Sequence, residues 1–182
     1  MRFDKCDRET FVSAIDEDKA NRFARFAKTF VAKADLLGRW DSCVGAFDGT
    51  NLMGAVLWTY SAKAPVVCNL QLLHTFASYR GCGVGRQLVS LVTEAALSDR
   101  AEYFRVSAEP DAVIFYEKIG LKFWGRQKSG SQLCMFKFPG IYDANDPVIQ
   151  RALDRKGKGG LVERFDMYYQ SIESVTPIYD RL

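Results

Sequence analysis

The sequence predicts an α/β (α+β three-layer) fold, with a mixed central sheet of about six to seven strands flanked by helices and an extra C-terminal tail. Three observations point there. Periodic segments run in the order helices, three strands, helix, strand, helix, two strands, which suits helices layered on a mixed sheet. Val66 to Phe76 is an apolar run rich in strand formers, as a central strand must be. Val84 to Leu97 sets Val84, Leu88, Leu91, Val92 and Ala95 on one helical face.

The elements follow in order. From Glu9 to about Trp40, the residues Phe11, Ile15, Phe23, Phe26, Phe30, Val31 and Leu36 recur near helical spacing and predict one or two amphipathic helices. Cys43 to Phe47 reads as a short strand, Asp48-Gly49-Thr50-Asn51 as a turn, and Leu52 to Tyr60 as the returning strand of a hairpin. Asp41 and Asp48 read as turn acids. Ala62-Lys63-Ala64-Pro65 breaks the pattern before the central strand. Tyr103 to Val106 is a strand, and Glu109-Pro110-Asp111 starts a helix that runs through Lys118 and stops at Gly120. Leu121 to Gly125 and Gln132 to Phe138 flank a turn at Lys128-Ser129-Gly130. In the tail, Asp146-Pro147 opens a helix through Arg155, Lys156 to Gly160 is a basic, glycine-rich break, and Leu161 to Ile172 is read as another helix. The tail's aromatics Phe165, Tyr168 and Tyr169 imply packing on the body of the protein or on a partner.

Composition narrows the function classes. The 182 residues suit one domain with a short appendage, and 48% hydrophobic content supports a real core. A net charge of +3, from 25 basic and 22 acidic side chains, permits an anionic cofactor or nucleic acid and requires neither. Five cysteines without a CxxC pair read as reduced core thiols, and a single histidine gives a metal site little to build on, so no metal is expected. The charged start Met1-Arg2-Phe3-Asp4-Lys5 does not read as a signal peptide, and no apolar run approaches the roughly 18 residues of a membrane span. A cytoplasmic protein with no membrane partner is expected, either a monomer or a homodimer.

The chemistry concentrates in Arg80-Gly81-Cys82-Gly83-Val84-Gly85. Here a strand runs into a glycine-rich loop that opens a helix. Glycines let backbone N–H groups approach a pyrophosphate, and the helix dipole favours its charge. The spacing is too short for a dinucleotide fingerprint, and no Gly-Lys-Ser/Thr follows as a P-loop needs. The loop Tyr79 to Leu88 resembles the Arg/Gln-x-x-Gly-x-Gly/Ala signature of the GCN5-related N-acetyltransferase (GNAT) family. Ala112 to Leu121 resembles that family's A-x-x-F-Y-E-K-x-G-F segment. The two lie in the expected order, and the resemblance covers about Ser42 to Phe138.

The resemblance implies roles. Acetyl-CoA is the co-substrate and an amine the acceptor. Main-chain groups from Leu73 to Thr75 pair with the pantetheine arm, and Arg80, Gly81, Cys82, Gly83, Val84 and Gly85 cradle the pyrophosphate. Tyr116 protonates the leaving thiolate. Family members often carry a Glu or His base on the strand before the loop. Here Asn69 and Gln71 occupy those positions, facing the same side as Leu73 and Thr75 by period two. Their amides hold a substrate or water but do not titrate. Glu109 stands where the family commonly has Asn, and reads either as a catalytic base or as an acid at a helix start. His74, on the opposite strand face, reads as a core residue.

The expected organisation is an acetyltransferase domain over 1–138 and an extension over 139–182. The expected reaction moves an acetyl group from acetyl-CoA to an amine by direct attack in a ternary complex. Two other readings stand beside it: a non-catalytic acyl-CoA-binding module, and an acyl or aminoacyl transferase that modifies nucleic acid. The basic run Arg151 to Lys158 reads first as a solvated loop, since few aromatics interleave it.

Overall fold

The protein is described by a computed structural model that covers residues 1–18 and 24–166. Its strands are β1 (Arg2–Lys5), β2 (Val44–Asp48), β3 (Asn51–Tyr60), β4 (Val67–Thr75), β5 (Tyr103–Ala108), β6 (Gly125–Gln127), β7 (Gln132–Lys137) and β8 (Leu161–Arg164). Its α-helices are α1 (Arg8–Glu17), α2 (Ala24–Leu36), α3 (Val84–Ser98), α4 (Val113–Lys118) and α5 (Pro147–Leu153). The sheet has eight strands in the order β1-β2-β3-β4-β5-β7-β6-β8, two beyond the six segments read from sequence. The parallel pairing of β4 with β5 among antiparallel neighbours makes it a mixed sheet. The chain divides into two compact units, Met1–Thr59 with Gln71–Val92, and Tyr60–Leu70 with Thr93–Leu182.

In the first unit, β1 and β3 both run antiparallel to β2, in a register that places Lys5 opposite Val44 and Val44 opposite Val56. Asp7 caps α1. Its carboxylate accepts from the Thr10 N–H at 2.7 Å and from the Thr10 hydroxyl at 2.8 Å, which holds its pKa below the usual carboxylate range. The spacing of Phe11 and Ile15 on α1, and of Ala27, Val31 and Ala34 on α2, turns one stripe of each helix inward. Those residues pack with Cys6, Trp40, Cys43, Leu57, Leu72 and Phe76 in one core. The Trp40 indole N–H donates to the Cys6 carbonyl at 3.0 Å, so its polar atom is satisfied inside that core.

In the second unit, β5 pairs with β7 from Tyr103↔Lys137 to Ala108↔Gln132, and β6 bridges β7 and β8. Phe104 and Phe136 stack at 5.2 Å between ring centroids. The Trp124 indole N–H donates to the Met135 carbonyl at 2.7 Å. The core continues into the tail, where Tyr142, Ile149 and Leu153 are buried. Asp146 caps α5 by accepting from the Val148 and Ile149 N–H groups at 2.8 and 3.1 Å, and the Tyr103 hydroxyl donates to its other oxygen at 2.7 Å. Burial pushes the Asp146 carboxyl up, but those donors outweigh it and hold the pKa below the usual range. Burial and the Asp146 acceptor push the Tyr103 phenol up to about 12.

Three segments differ from the sequence reading. Leu161 to Ile172 is not a helix over its described part. Leu161–Arg164 is a strand on β6, and the Phe165 N–H donates to the Trp124 carbonyl at 2.9 Å. The Leu161/Phe165 spacing is helical, but long-range pairing decides the outcome. The strand expected at Leu121 to Gly125 begins only at Gly125; Leu121, Phe123 and Trp124 are buried, and the Trp124 N–H donates to the Leu133 carbonyl at 2.8 Å. Lys156 to Gly160 is a hydrogen-bonded turn rather than a loose break, with the Gly160 N–H donating to the Gly157 carbonyl at 3.0 Å. The side chains of Phe23 and Phe26, and residues Tyr168, Tyr169 and Ile172, lie outside the described residues.

Candidate functional site

β4 alternates as a strand with two different faces should. Cys68, Leu70, Leu72 and His74 are buried, while Val67, Asn69, Gln71, Leu73 and Thr75 are half-buried. The ladder to β5 spans Val67 to Leu70, and β4 runs on to Thr75. Gln71, Leu73 and Thr75 fall in the first unit with the whole stretch Arg80 to Gly85. Asn69, Glu109 and Tyr116 fall in the second.

The loop of the first unit is built in three short steps. A 3₁₀ turn over Ala77–Tyr79 follows Phe76, with the Tyr79 N–H donating to the Phe76 carbonyl at 2.9 Å. Arg80 to Gly83 then bend the chain into α3, whose first intrahelical bond runs from the Gln87 N–H to the Gly83 carbonyl at 3.1 Å. Gly81 and Gly83 hold φ of 81° and 80°, the left-handed region that favours glycine. A Cβ at either would meet no atom within 4 Å, so the loop's outer side is open and its glycines serve conformation rather than close packing. The N–H groups of the first turn of α3 have no acceptor within the helix, which makes its start an anion-binding end. The Arg80 Nε donates to the Thr75 carbonyl at 3.2 Å, tying the exposed guanidinium to the end of β4.

Behind this loop, His74 is buried between aromatic rings, with its centroid 4.7 Å from Phe76 and 6.0 Å from Phe11. Burial lowers its pKa to about 4, and Asp18, 3.7 Å away, opposes that shift without reversing it. The geometry alone suggests an ion pair. Burial is the larger effect, so the imidazole is neutral at pH 7 and the contact with Asp18 is a polar one. This places His74 in the core, as its strand face implied.

Neither strand amide is free of partners. The Gln71 Nε2 donates to the Thr59 hydroxyl at 3.2 Å, and the Asn69 Nδ2 to the Val67 carbonyl at 3.1 Å. Asn69 stands opposite Arg105 in the β4–β5 ladder. Arg105 is a half-buried cation on that face that the strand reading passed over, and only the pairing register discloses it. Glu109 follows β5 at the start of a 3₁₀ turn over Pro110–Ala112. It is exposed and stands at the N-cap of that turn without a side-chain capping bond.

Tyr116 sits on α4, with its ring centroid 5.1 Å from that of Phe115 and 6.2 Å from that of Phe123. α4 ends where the Leu121 N–H donates to the Tyr116 carbonyl at 3.0 Å and Gly120 takes φ of 97°. The side chain is buried, and burial pushes its phenol well above the ordinary tyrosine value, with Cys134 adding to the shift. The hydroxyl is fully protonated at neutral pH. Among the described residues, no group of three or more His, Cys, Asp and Glu could hold a metal ion, and no helix is long and apolar enough to cross a membrane.

The model of the acetyltransferase (GNAT) domain family matches residues 11–138. No curated protein matches the sequence. Among solved structures, the chain is similar to the PaiA N-acetyltransferase of Thermoplasma acidophilum in complex with coenzyme A. That match has 16% identity and a TM-score of 0.62, and covers 75% of this chain and 98% of that one. Ard1 from Thermoplasma volcanium gives 15% identity and a TM-score of 0.59 over 75% of this chain and 96% of that one. An aminoglycoside 6'-N-acetyltransferase complexed with coenzyme A gives 13% and 0.58 over 79% of this chain and all (100%) of that one. At such identities the likeness is one of fold.

Proposed function

Since the chain belongs to the GNAT acetyltransferase domain family, we propose that it transfers an acetyl group from acetyl-CoA to an amine by direct attack in a ternary complex. The observation that carries this reading is the open glycine loop, Arg80 to Gly85, set at the start of a 15-residue helix. The residues present fit the co-substrate. The loop has room on its outer side, the α3 N-terminus supplies N–H donors, and Arg80 adds a cation. The main chain of Leu73 to Thr75, on the part of β4 beyond its β5 ladder, takes the amide-bearing arm by strand-like pairing.

In the reaction, the amine nitrogen bonds to the acetyl carbon as the carbon–sulfur bond breaks. The sulfur leaves as a thiolate and needs a proton, and the amine must lose one. Tyr116 supplies the first, because its buried phenol carries its proton at the working pH. Asn69 and Gln71 position the acceptor or a water, since amides cannot take the second proton. Glu109 takes it: it is a carboxylate, exposed, and committed to no cap.

Isothermal calorimetry tests the binding half. Wild-type protein should bind acetyl-CoA, and Arg80→Glu should weaken binding at least tenfold; no binding, or no change in the variant, sinks the reading. Thiol release with a panel of amines tests the chemical half. A second reading, an acyl-CoA binder without turnover, is favoured by the absence of a titrating residue at 69 and 71. Acetyl-CoA binding without thiol release from any amine would select it.

A further inference from the structure

The second unit carries a groove built from none of the residues given a role above. α5, the turn after it and β8 border an open groove of about 390 Å³, with Lys128 at one side. Four cations, Lys128, Arg155, Lys156 and Arg164, line it against one acid, Asp154. Asp154 is already engaged, since the Arg164 Nη2 donates to it at 2.5 Å. Lys128, Arg155 and Lys156 have no ion-pair partner among the described residues.

The groove is preformed. The Lys128 N–H donates to the Gly160 carbonyl and the Gln127 Nε2 to the Gly159 carbonyl, both at 3.0 Å, which fixes the turn to the end of β6. The turn closes tightly on Arg155. A Cβ at Gly160 would lie 2.0 Å from the Arg155 carbonyl oxygen, and one at Gly159 would lie 3.2 Å from its guanidinium carbon. Arg105 adds to the concentration of charge: burial and the nearness of Arg155 both act against its cationic form. Four cations against one acid, itself paired with Arg164, are costly to crowd together, and a bound anion relieves that cost.

The geometry points to a small phosphate-bearing anion, of about diphosphate size, as the ligand of this groove. Arginine's forked donors suit phosphate oxygens, and the volume lies at the small end of ligand sites. Among the described residues no aromatic side chain lines the groove, so they give it no stacking platform of the kind a single-stranded nucleic-acid channel uses. The proposal is independent of the acyl-transfer reading.

Amide shifts of the full chain, titrated with inorganic pyrophosphate at constant low ionic strength, test it. Saturable movement is expected at Lys128 and Gly157 to Gly160. The double variant Arg155→Gln/Lys156→Gln should weaken it at least tenfold, and should leave any response at Gly81 and Gly83 as in the wild type. The proposal is overturned if those signals stay still, if they move equally in the variant, or if a short RNA shifts them where pyrophosphate does not. Should the double variant lose its dispersed spectrum, Lys128→Gln takes its place under the same tenfold criterion, because it is the Lys128 N–H, not its side chain, that holds the turn.

Discussion

Two buried titratable side chains, Tyr116 and His74, show how differently one physical effect can be used. Burial raises the phenol and so keeps a proton available; burial lowers the imidazole and so removes a charge. Tyr116→Phe keeps the ring that packs against Phe115 and Phe123 and removes only the hydroxyl. The turnover number should fall by about 100-fold or more, with acetyl-CoA affinity little changed, as steady-state thiol release will show. For His74 the folded pKa, about 4, lies below the unfolded value of 6.5. The unfolded chain therefore binds the extra proton first as pH drops. The stability that the neutral form contributes is fully present above about pH 6.5 and is lost as pH falls towards 4. The full effect is about 3 kcal/mol. Urea unfolding from pH 7 to pH 4 should show this slope in the wild type, reduced in His74→Leu. Equal slopes would mean that His74 titrates alike in the folded and unfolded chain.

Among the elements, those that depend on local pattern were legible in the sequence and those that depend on a distant partner were not. The alternation of β4, the stripe of α3 and the Asp48–Asn51 turn are short-range signals, and each element was placed to within a residue or two. β1 is four residues long and exposed throughout, with no apolar alternation to announce it. β8 exists because β6 offers a ladder, which its own Leu161/Phe165 spacing does not disclose. The candidate site divides in the same way. The loop, Tyr116 and the core face of His74 stood out through residue type and spacing, whereas the Arg80–Thr75 bond and the position of Arg105 require the folded chain. The cap of α5 was visible as Asp146-Pro147, but its tie to Tyr103 was not. Asp146→Ala removes the acceptor of two N–H groups and the Tyr103 partner together. It should cost about 2 kcal/mol by chemical denaturation, against about 1 for Tyr103→Phe, which leaves the cap in place.

Taken whole, the described chain does not end its core where the family match ends at residue 138. Tyr142, Ile149 and Leu153 lie beyond that point and are buried. At about 1.5–3 kcal/mol for each large apolar side chain, their loss is comparable with the entire stability of an ordinary domain. A chain cut after Phe138 should therefore lose cooperative thermal unfolding; a sharp transition within a few degrees of the full-length protein would show that the remainder suffices. The distribution of sulfur across the molecule has a practical consequence. Cys6, Cys43, Cys68 and Cys134 are buried and Cys82 alone is exposed, on the glycine loop. Nature has thus left one addressable handle, at the point where a phosphate ligand would approach. A maleimide should label the folded protein once, at residue 82, and saturating acetyl-CoA should slow that labelling severalfold, which mass spectrometry of the tryptic peptides can follow. A fluorophore attached there would convert the loop into an optical gauge of its own occupancy.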